Sequence, residues 1–459
     1  MFSNVQFTFP SASLFKIPPS SNPPSLTPPT STFPYAPAFT ISPTVYNHLL
    51  SAVYPVTIAT VYLSAVTFLN RVNRSNDNKP WAFSKTAFFY WAVIAHNLLL
   101  AVYSGWTVLG MAAAANHTWP GLHGKDGLAG AVDSMCKLHG PRGLGEAITY
   151  NTTSNGWSTT SQAVKILESG LPDSDDVGRL WNEGLAFYGW LFYLSKFYEV
   201  IDTAIVLAKG KECSFLQSYH HAGAMISVWA GIRYMSPPIW MFVIVNAGVH
   251  TLMYTYYTLS ALSLKIPVVV KRTITSLQIT QMVWGTSYAV AHLFVSYSIP
   301  VSVPYSIISQ ATAAASSVSS AATSVVSSAS IGGWLKKFAL RAAGEEGLAE
   351  NVQGAGDMHV LGGPIERMSE EIRWRTELRR VPCIDTSGEA FAIWLNVLYL
   401  APLIYLFTTF FVRSYTSRTA SKSQSSTKLK TIEKAGADAL KGLDRETNET
   451  PTPDGSSRK

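Results

Sequence analysis

A chain of 459 residues is long enough for two or three soluble domains, but only 14% of it is charged while 47% is hydrophobic. The formal charge of +7 would suit nucleic acid, yet the basic residues gather at the ends of apolar blocks and in the C-terminal tail, where they orient membrane helices. Composition therefore excludes an ordinary soluble enzyme or a nucleic-acid-binding module and predicts a helical protein that crosses a membrane several times.

In chain order, residues 1–44 are rich in Pro, Ser and Thr ("KIPPSSNPPSLTPPTSTFP") and lack the apolar core of a signal peptide. They are expected to be a disordered lumenal N-terminus. Apolar blocks long enough to span a bilayer as helices then occur at about 45–69, 86–112, 184–208, 214–233, 238–262, 273–297 and 390–412. The expected fold class is all-α and polytopic, with about seven transmembrane helices in residues 45–412 and insertions at about 113–183 and 298–389. Within the second insertion, Ser309–Ser330 is small-residue low complexity, too weakly apolar for an eighth span. Residues 413–459 read as a basic, disordered tail.

Charge placement orients the bundle. Arg71, Arg74, Lys79 and Lys85 follow the first span, Lys209 and Lys211 the third, Lys265, Lys271 and Arg272 the fifth, and Arg413 and Arg418 the last. All fall on one side if the N-terminus is lumenal and the C-terminus cytosolic. The glycosylation acceptors Asn116 ("NHT") and Asn151 ("NTT") then lie on the lumenal side, whereas Asn73 and Asn448 lie in cytosolic segments. Cys136 and Cys383 are lumenal and Cys213 cytosolic; the sequence leaves open whether the first two pair.

Four consecutive spans carry polar stripes. In "KFYEVIDT", Lys196, Glu199, Asp202 and Thr203 recur at spacings of three and four along one helical face. Gln217, His220 and His221 do the same in "LQSYHH". Asn246, His250, Met253, Tyr254 and Tyr257 follow in "NAGVHTLMYTYY", and Thr275, Gln278 and Gln281 in "TSLQITQ". Buried packing pairs or interhelical hydrogen bonds explain any one stripe. Ionisable groups within spans normally face a protein interior or an aqueous cavity, so four together predict a shared chamber opening toward the cytosol.

These motifs, in this order, resemble those of the ELO family of fatty-acid elongases, and "HNLLLAVYSGW" (His96–Trp106) is similar to the family's second span. The resemblance covers about residues 45–300 and the final span. It implies a very-long-chain 3-oxoacyl-CoA synthase of the endoplasmic reticulum membrane, an acyltransferase that condenses acyl-CoA with malonyl-CoA and releases CO2 and CoA. The later spans would enclose the acyl chain, and no metal or other cofactor is expected. The implied partners are the two CoA substrates, membrane lipid, and the 3-oxoacyl-CoA reductase, dehydratase and enoyl reductase of the cycle; self-association is left open.

The resemblance implies an acyl-imidazole on His220, and an unperturbed imidazole, with pKa near 6.5, is mostly neutral and nucleophilic at pH 7. His221 lies about 100° around the helix and is assigned to orientation. His250 with Asn246, Gln278 and Tyr254 are candidates to stabilise the enolate formed on decarboxylation. Lys196 is a candidate for CoA phosphate or for pairing with Glu199, and Asp202 for holding a histidine tautomer. Tyr257, Thr275 and Gln281 complete the expected substrate-binding set. The chain departs from the family's His-x-x-His-His pattern by Gln217, a variant associated with polyunsaturated substrates, and ends "SSRK" where many members carry a dilysine signal.

Two other readings remain at this stage. A histidine-box desaturase or hydroxylase binds two irons and needs many more ligands; a single zinc on His220, His221, His250 and Asp202 is the smaller version. Gln217, a poor metal ligand, weighs against both. A seven-helix receptor or transporter is the non-enzymatic reading.

Overall fold

The computed structural model describes residues 4–30, 37–161, 164, 166–173, 178–309, 337–342, 344 and 369–415. Most of the low-complexity stretch to Ser330, the tail beyond 415 and Asn448 lie outside these residues. The chain forms two compact units, Met1–Ile299 with Arg379–Lys459, and Pro300–Leu378. Everything below concerns the first unless stated.

The helices are α1 (Pro43–Leu49), α2 (Val53–Ser75), α3 (Ala87–Thr118), α4 (Gly127–Cys136), α5 (Ala186–Tyr198), α6 (Val200–Ala208), α7 (Phe215–Arg233), α8 (Ile239–Ala261), α9 (Val268–His292) and α10 (Ser387–Tyr415). Of these, α2, α3, α8 and α10 are long and apolar enough to cross a membrane. Helical stretches coincide with the other three expected spans without meeting that standard. α5 and α6 are interrupted at Glu199, while α7 and α9 carry the Gln–His–His and Thr–Gln–Gln stripes that lower their hydropathy. The outward faces of α2 and α3 expose Val53, Phe68, Phe88, Leu99 and Leu109, as a lipid-facing surface requires.

Three span boundaries differ from expectation. The first span starts at Val53, because residues 50–52 leave the helix. Carbonyls there are claimed by aromatic donors: Trp190 Nε1 to Tyr46 O at 3.3 Å, Tyr193 Oη to Leu49 O at 2.9 Å and Trp229 Nε1 to Leu50 O at 2.7 Å. The second span continues to Thr118, so Asn116 is an exposed helical residue rather than part of a loop. The sixth ends at His292 and gives way at Val295 to a strand, where "VSYSI" alternates apolar residues with serine at the period of a strand.

Caps explain several helix starts. Ser214 accepts from Gln217 N at 3.2 Å to open α7. Thr386 and Glu389 form a reciprocal capping box at α10: Glu389 N donates to Thr386 Oγ1 at 3.2 Å and Thr386 N to Glu389 Oε2 at 3.0 Å. The most extensive helix pairing is α3 with α8, where Gly105 lies against Thr251 and Gly248 against Val108, small residues that let backbones approach.

The bundle has two distinct ends. At the basic end, Asn73 Nδ2 donates to Leu207 O (2.8 Å) and Lys211 O (3.0 Å), and Arg74 makes two hydrogen bonds to Glu212. The opposite end carries the 113–183 insertion, which holds α4 and a hairpin of β2 (Ile148–Asn151) and β3 (Gly156–Thr159). There Cys136 is bridged to Cys383 across 247 residues. Beside the bridge, Arg179 pairs with Asp133 at 2.6 Å and Lys137 with Asp385 at 2.6 Å, and Tyr297 Oη donates to Asp133 at 2.7 Å. His139 is buried between Trp157 and Trp181; burial, with Arg179 nearby, pushes its pKa down to about 3.

The N-terminal residues expected to be disordered have definite structure over 4–30. β1 (Val5–Phe7) pairs antiparallel with β4 (Val295–Ser309), Phe7 opposite Val295, and the sheet order is β1–β4–β5, with β5 at Ser369–Pro382. A 3-10 turn at Ala12–Phe15 buries Leu14. Composition misleads here because the partners of this segment are distant: Trp181 Nε1 donates to Leu26 O at 3.0 Å and Arg233 to Ser21 O at 2.7 Å. The second unit, described by itself, contains the outer parts of β4 and β5, so the 298–389 insertion includes strands.

Replacing Cys136 by Ser removes a cross-link closing a very long loop. The expected loss is about 2–4 kcal/mol, read as a lower melting temperature of the detergent-solubilised protein, with no effect of reductant on the variant.

Candidate active site

The site begins where α5 breaks into α6. At the break, Glu199 accepts a hydrogen bond from Lys196 Nζ at 2.6 Å, and its Oε1 lies 3.4 Å from Ser195 Oγ and 3.6 Å from His250 Nδ1. Lys196 also donates to Asn246 Oδ1 at 3.2 Å and stands 4.1 Å from the centre of the Phe192 ring. Both charged side chains are 4% exposed. Ions so buried persist only when paired and hydrogen-bonded, and this network satisfies that condition.

One turn on, Asp202 accepts from Tyr254 Oη at 2.6 Å and lies 2.8 Å from His96 Nε2. A third cluster joins α2, α6 and α7: Thr203 Oγ1 bonds Tyr62 Oη at 2.9 Å and receives Gln217 Nε2 at 3.2 Å. His221 faces this side, its ring centre 6.2 Å from that of Tyr62, and its Nδ1 has no hydrogen-bond partner.

His220 turns the other way, toward α10. The Tyr399 hydroxyl donates to the His220 carbonyl at 3.1 Å and lies 2.9 Å from His220 Nδ1. This one residue of α10 therefore fixes the orientation of the His220 ring through Nδ1, with Nε2 left without a contact to Tyr399. Gly223 makes the approach possible, since a Cβ there would meet the Tyr399 ring at 2.3 Å.

A cavity runs through the bundle past His220. Its polar part is lined by Lys196, His220, Asn246, Gln281 and Tyr399. Beyond them the lining is mainly apolar, through Phe242 and Ala289 to Ile239, Ala392 and Ile393 near the disulfide-bridged end. From Ala392 to Leu403 the lining follows α10 for about 16 Å at 1.5 Å per residue. Gln281 Oε1 is buried there without a hydrogen-bond partner from the protein.

The stripes thus converge only in part. Lys196, His220, Asn246 and Gln281 line the cavity; Glu199, held by Lys196, and the hydrogen-bonded pair Asp202 and Tyr254 do not line it, nor does His250, which lies 3.6 Å from Glu199. Thr275 bonds back to Lys271 O at 3.1 Å, Gln278 donates to Met253 Sδ at 3.2 Å, and the Tyr257 ring packs on Tyr254. Asp202 holds His96 rather than any motif histidine. Tyr399, His96 and Tyr62 are the residues sequence reasoning missed. Asn396 and Tyr399, three apart in the last span, are a faint stripe of the same kind. Among the described residues no group of three or more His, Cys, Asp or Glu could hold a metal ion. Asn116 and Asn151 are both exposed at the bridged end.

The fold and site define a helical protein with several candidate membrane spans and a buried histidine beside a largely apolar cavity, and comparison with known proteins narrows the class. The family model described as ELO, the GNS1/SUR4 family, matches residues 48–423; the chain belongs to this family. Human "Very long chain fatty acid elongase 3" is 40% identical over 104 residues, 23% of this chain and 38% of that protein. "Very long chain fatty acid elongase 6" of Drosophila melanogaster is 39% identical over 100 residues, 22% and 31% of the two chains. "Fatty acid elongase 2" of Trypanosoma brucei brucei is 33% identical over 124 residues, 27% and 46%. The aligned stretches thus span less than half the length of these relatives. No solved structure matches the chain.

Replacing Lys196 by Met leaves Glu199 buried without its ion partner, an expected loss of about 3–5 kcal/mol. The double substitution Lys196→Met/Glu199→Leu should recover most of that stability while leaving catalysis impaired. Thermal unfolding in detergent checks the first part and turnover the second.

Proposed function

We propose that the protein is a fatty-acid elongase that condenses acyl-CoA with malonyl-CoA to 3-oxoacyl-CoA. The observation that carries this reading is His220, its Nδ1 held by Tyr399, on the wall of a cavity whose apolar part suits an alkyl chain. Family membership and the elongase relatives support it.

The first step forms a bond from His220 Nε2 to the thioester carbonyl carbon and breaks the C–S bond, releasing CoA thiolate. Tyr399 positions the imidazole by holding Nδ1. Malonyl-CoA then loses CO2, and the enolate carbon attacks the acyl-imidazole carbonyl, forming the C–C bond and freeing His220. Asn246 and Gln281 are amide donors suited to developing oxyanions, and Lys196 adds positive charge nearby. His250 and Glu199 act behind them as a positioning pair, and His221 supports α7 from its far side. The Lys196–Glu199 bond disfavours Lys196 as a CoA phosphate ligand.

The same reading makes all seven helical stretches membrane spans, with the basic end cytosolic and the disulfide end in the lumen of the endoplasmic reticulum. It needs no metal or redox cofactor, and its product is the substrate of a 3-oxoacyl-CoA reductase, followed by dehydratase and enoyl reductase. Chain length would be limited by the far end of the cavity.

Membranes carrying the wild-type chain should convert acyl-CoAs of graded length and unsaturation with malonyl-CoA, and His220→Ala should neither condense nor trap an acyl group. Retained turnover in the variant would overturn the role of His220. Tyr399→Phe should lower kcat with little change in KM, because the imidazole loses the partner that holds its Nδ1.

A further inference from the structure

The far end of the cavity is built against a segment that the family match does not include. The match begins at residue 48, whereas residues 11–26 pack behind the cavity wall at two places. Leu14 shares one hydrophobic cluster with Ala289 and Ile393, both of which line the cavity, and Phe15 packs on Trp394 with ring centres 6.0 Å apart. Farther along, Ser25 Oγ donates to Ile232 O at 3.3 Å and Leu26 N lies 3.4 Å from Met235 Sδ, bracing the α7–α8 corner. Gly231, Ser236 and Ile239 from that corner line the cavity. The segment is fastened by Arg233, which donates to Ser21 O and Pro23 O, and by Ser20 N on Ser387 Oγ at 3.1 Å.

We propose that residues 11–26 are the outer buttress of the acyl cavity and set the longest chain that the protein accommodates, with Leu14 as the specificity-determining residue. At Ala289 the wall offers only a methyl side chain, and Leu14 belongs to the cluster packed behind it. An elongating chain that reaches this wall must displace Leu14 or stop. This inference rests on the elongase reading.

The test compares product distributions from membranes carrying the full chain, supplied with malonyl-CoA and a series of saturated acyl-CoAs. Leu14→Ala opens space behind Ala289 and Ile393. Each further methylene that finds a dry site favours the longer chain by roughly fourfold, so one extra two-carbon cycle should become up to about 16-fold more abundant. Turnover of the shortest good substrate should be unchanged, and Leu14→Met should keep the wild-type distribution. Should Leu14→Ala fail to accumulate, Arg233→Ala, which unfastens the segment without opening a void, should shift products the same way. An unchanged distribution in folded variants, or equal loss of activity on every chain length, would overturn the buttress. Failure of the wild type to condense any acyl-CoA would instead overturn the elongase reading.

Discussion

A lysine and a glutamate 2.6 Å apart, both almost wholly buried, are the interaction on which the site depends. Apolar surroundings tolerate such charges only as a hydrogen-bonded pair. The pair sits where α5 stops and α6 begins, so the helix break and the charges occur together. Asn246 and Ser195 supply the remaining bonds, which ties α5 to α8. His250 on α8 is brought to the same carboxylate, and the next turn of α6 sets Asp202 between His96 on α3 and Tyr254. Four helix segments are thereby held in register by polar contacts that the bilayer could not replace.

Around that frame the polar groups divide by depth. Some line the cavity, and most of those behind are bonded to one another, as Asp202 is to Tyr254 and Thr203 to Tyr62. His220 and His221 are neighbours in sequence, yet a helix turns 100° per residue, so one faces Tyr399 and the cavity while the other faces Tyr62. The Tyr399 hydroxyl fixes the orientation of the His220 ring, and Gly223 is small because the tyrosine ring needs its space.

The opposite end is braced differently, by a disulfide, two buried ion pairs and an N-terminal segment that carries few apolar residues of its own. Leu14 and a handful of carbonyl acceptors suffice, because the rest of the contact is supplied by Trp181, Arg233 and the end of α10. Polar chemistry at one end and covalent and aromatic bracing at the other leave the apolar cavity between them.

The helical segments, the basic end and the polar stripes were legible in the sequence, because hydropathy and the helical period act on adjacent residues of one chain. The break at residues 50–52, the strand after His292 and the order in residues 4–30 were not, since each depends on donors or side chains more than a hundred positions away. The alternation in "VSYSI" was a visible signal for the strand. By itself the sequence determined a multi-span helical protein with the residues of the ELO family. Only the tertiary structure decided which histidine meets the cavity, that Tyr399 bonds its ring, that Cys136 and Cys383 join, and that residues 11–26 pack against the bundle. Those choices depend on which faces of distant helices come within hydrogen-bonding or van der Waals reach, and periodicity along one segment carries no information about its neighbours.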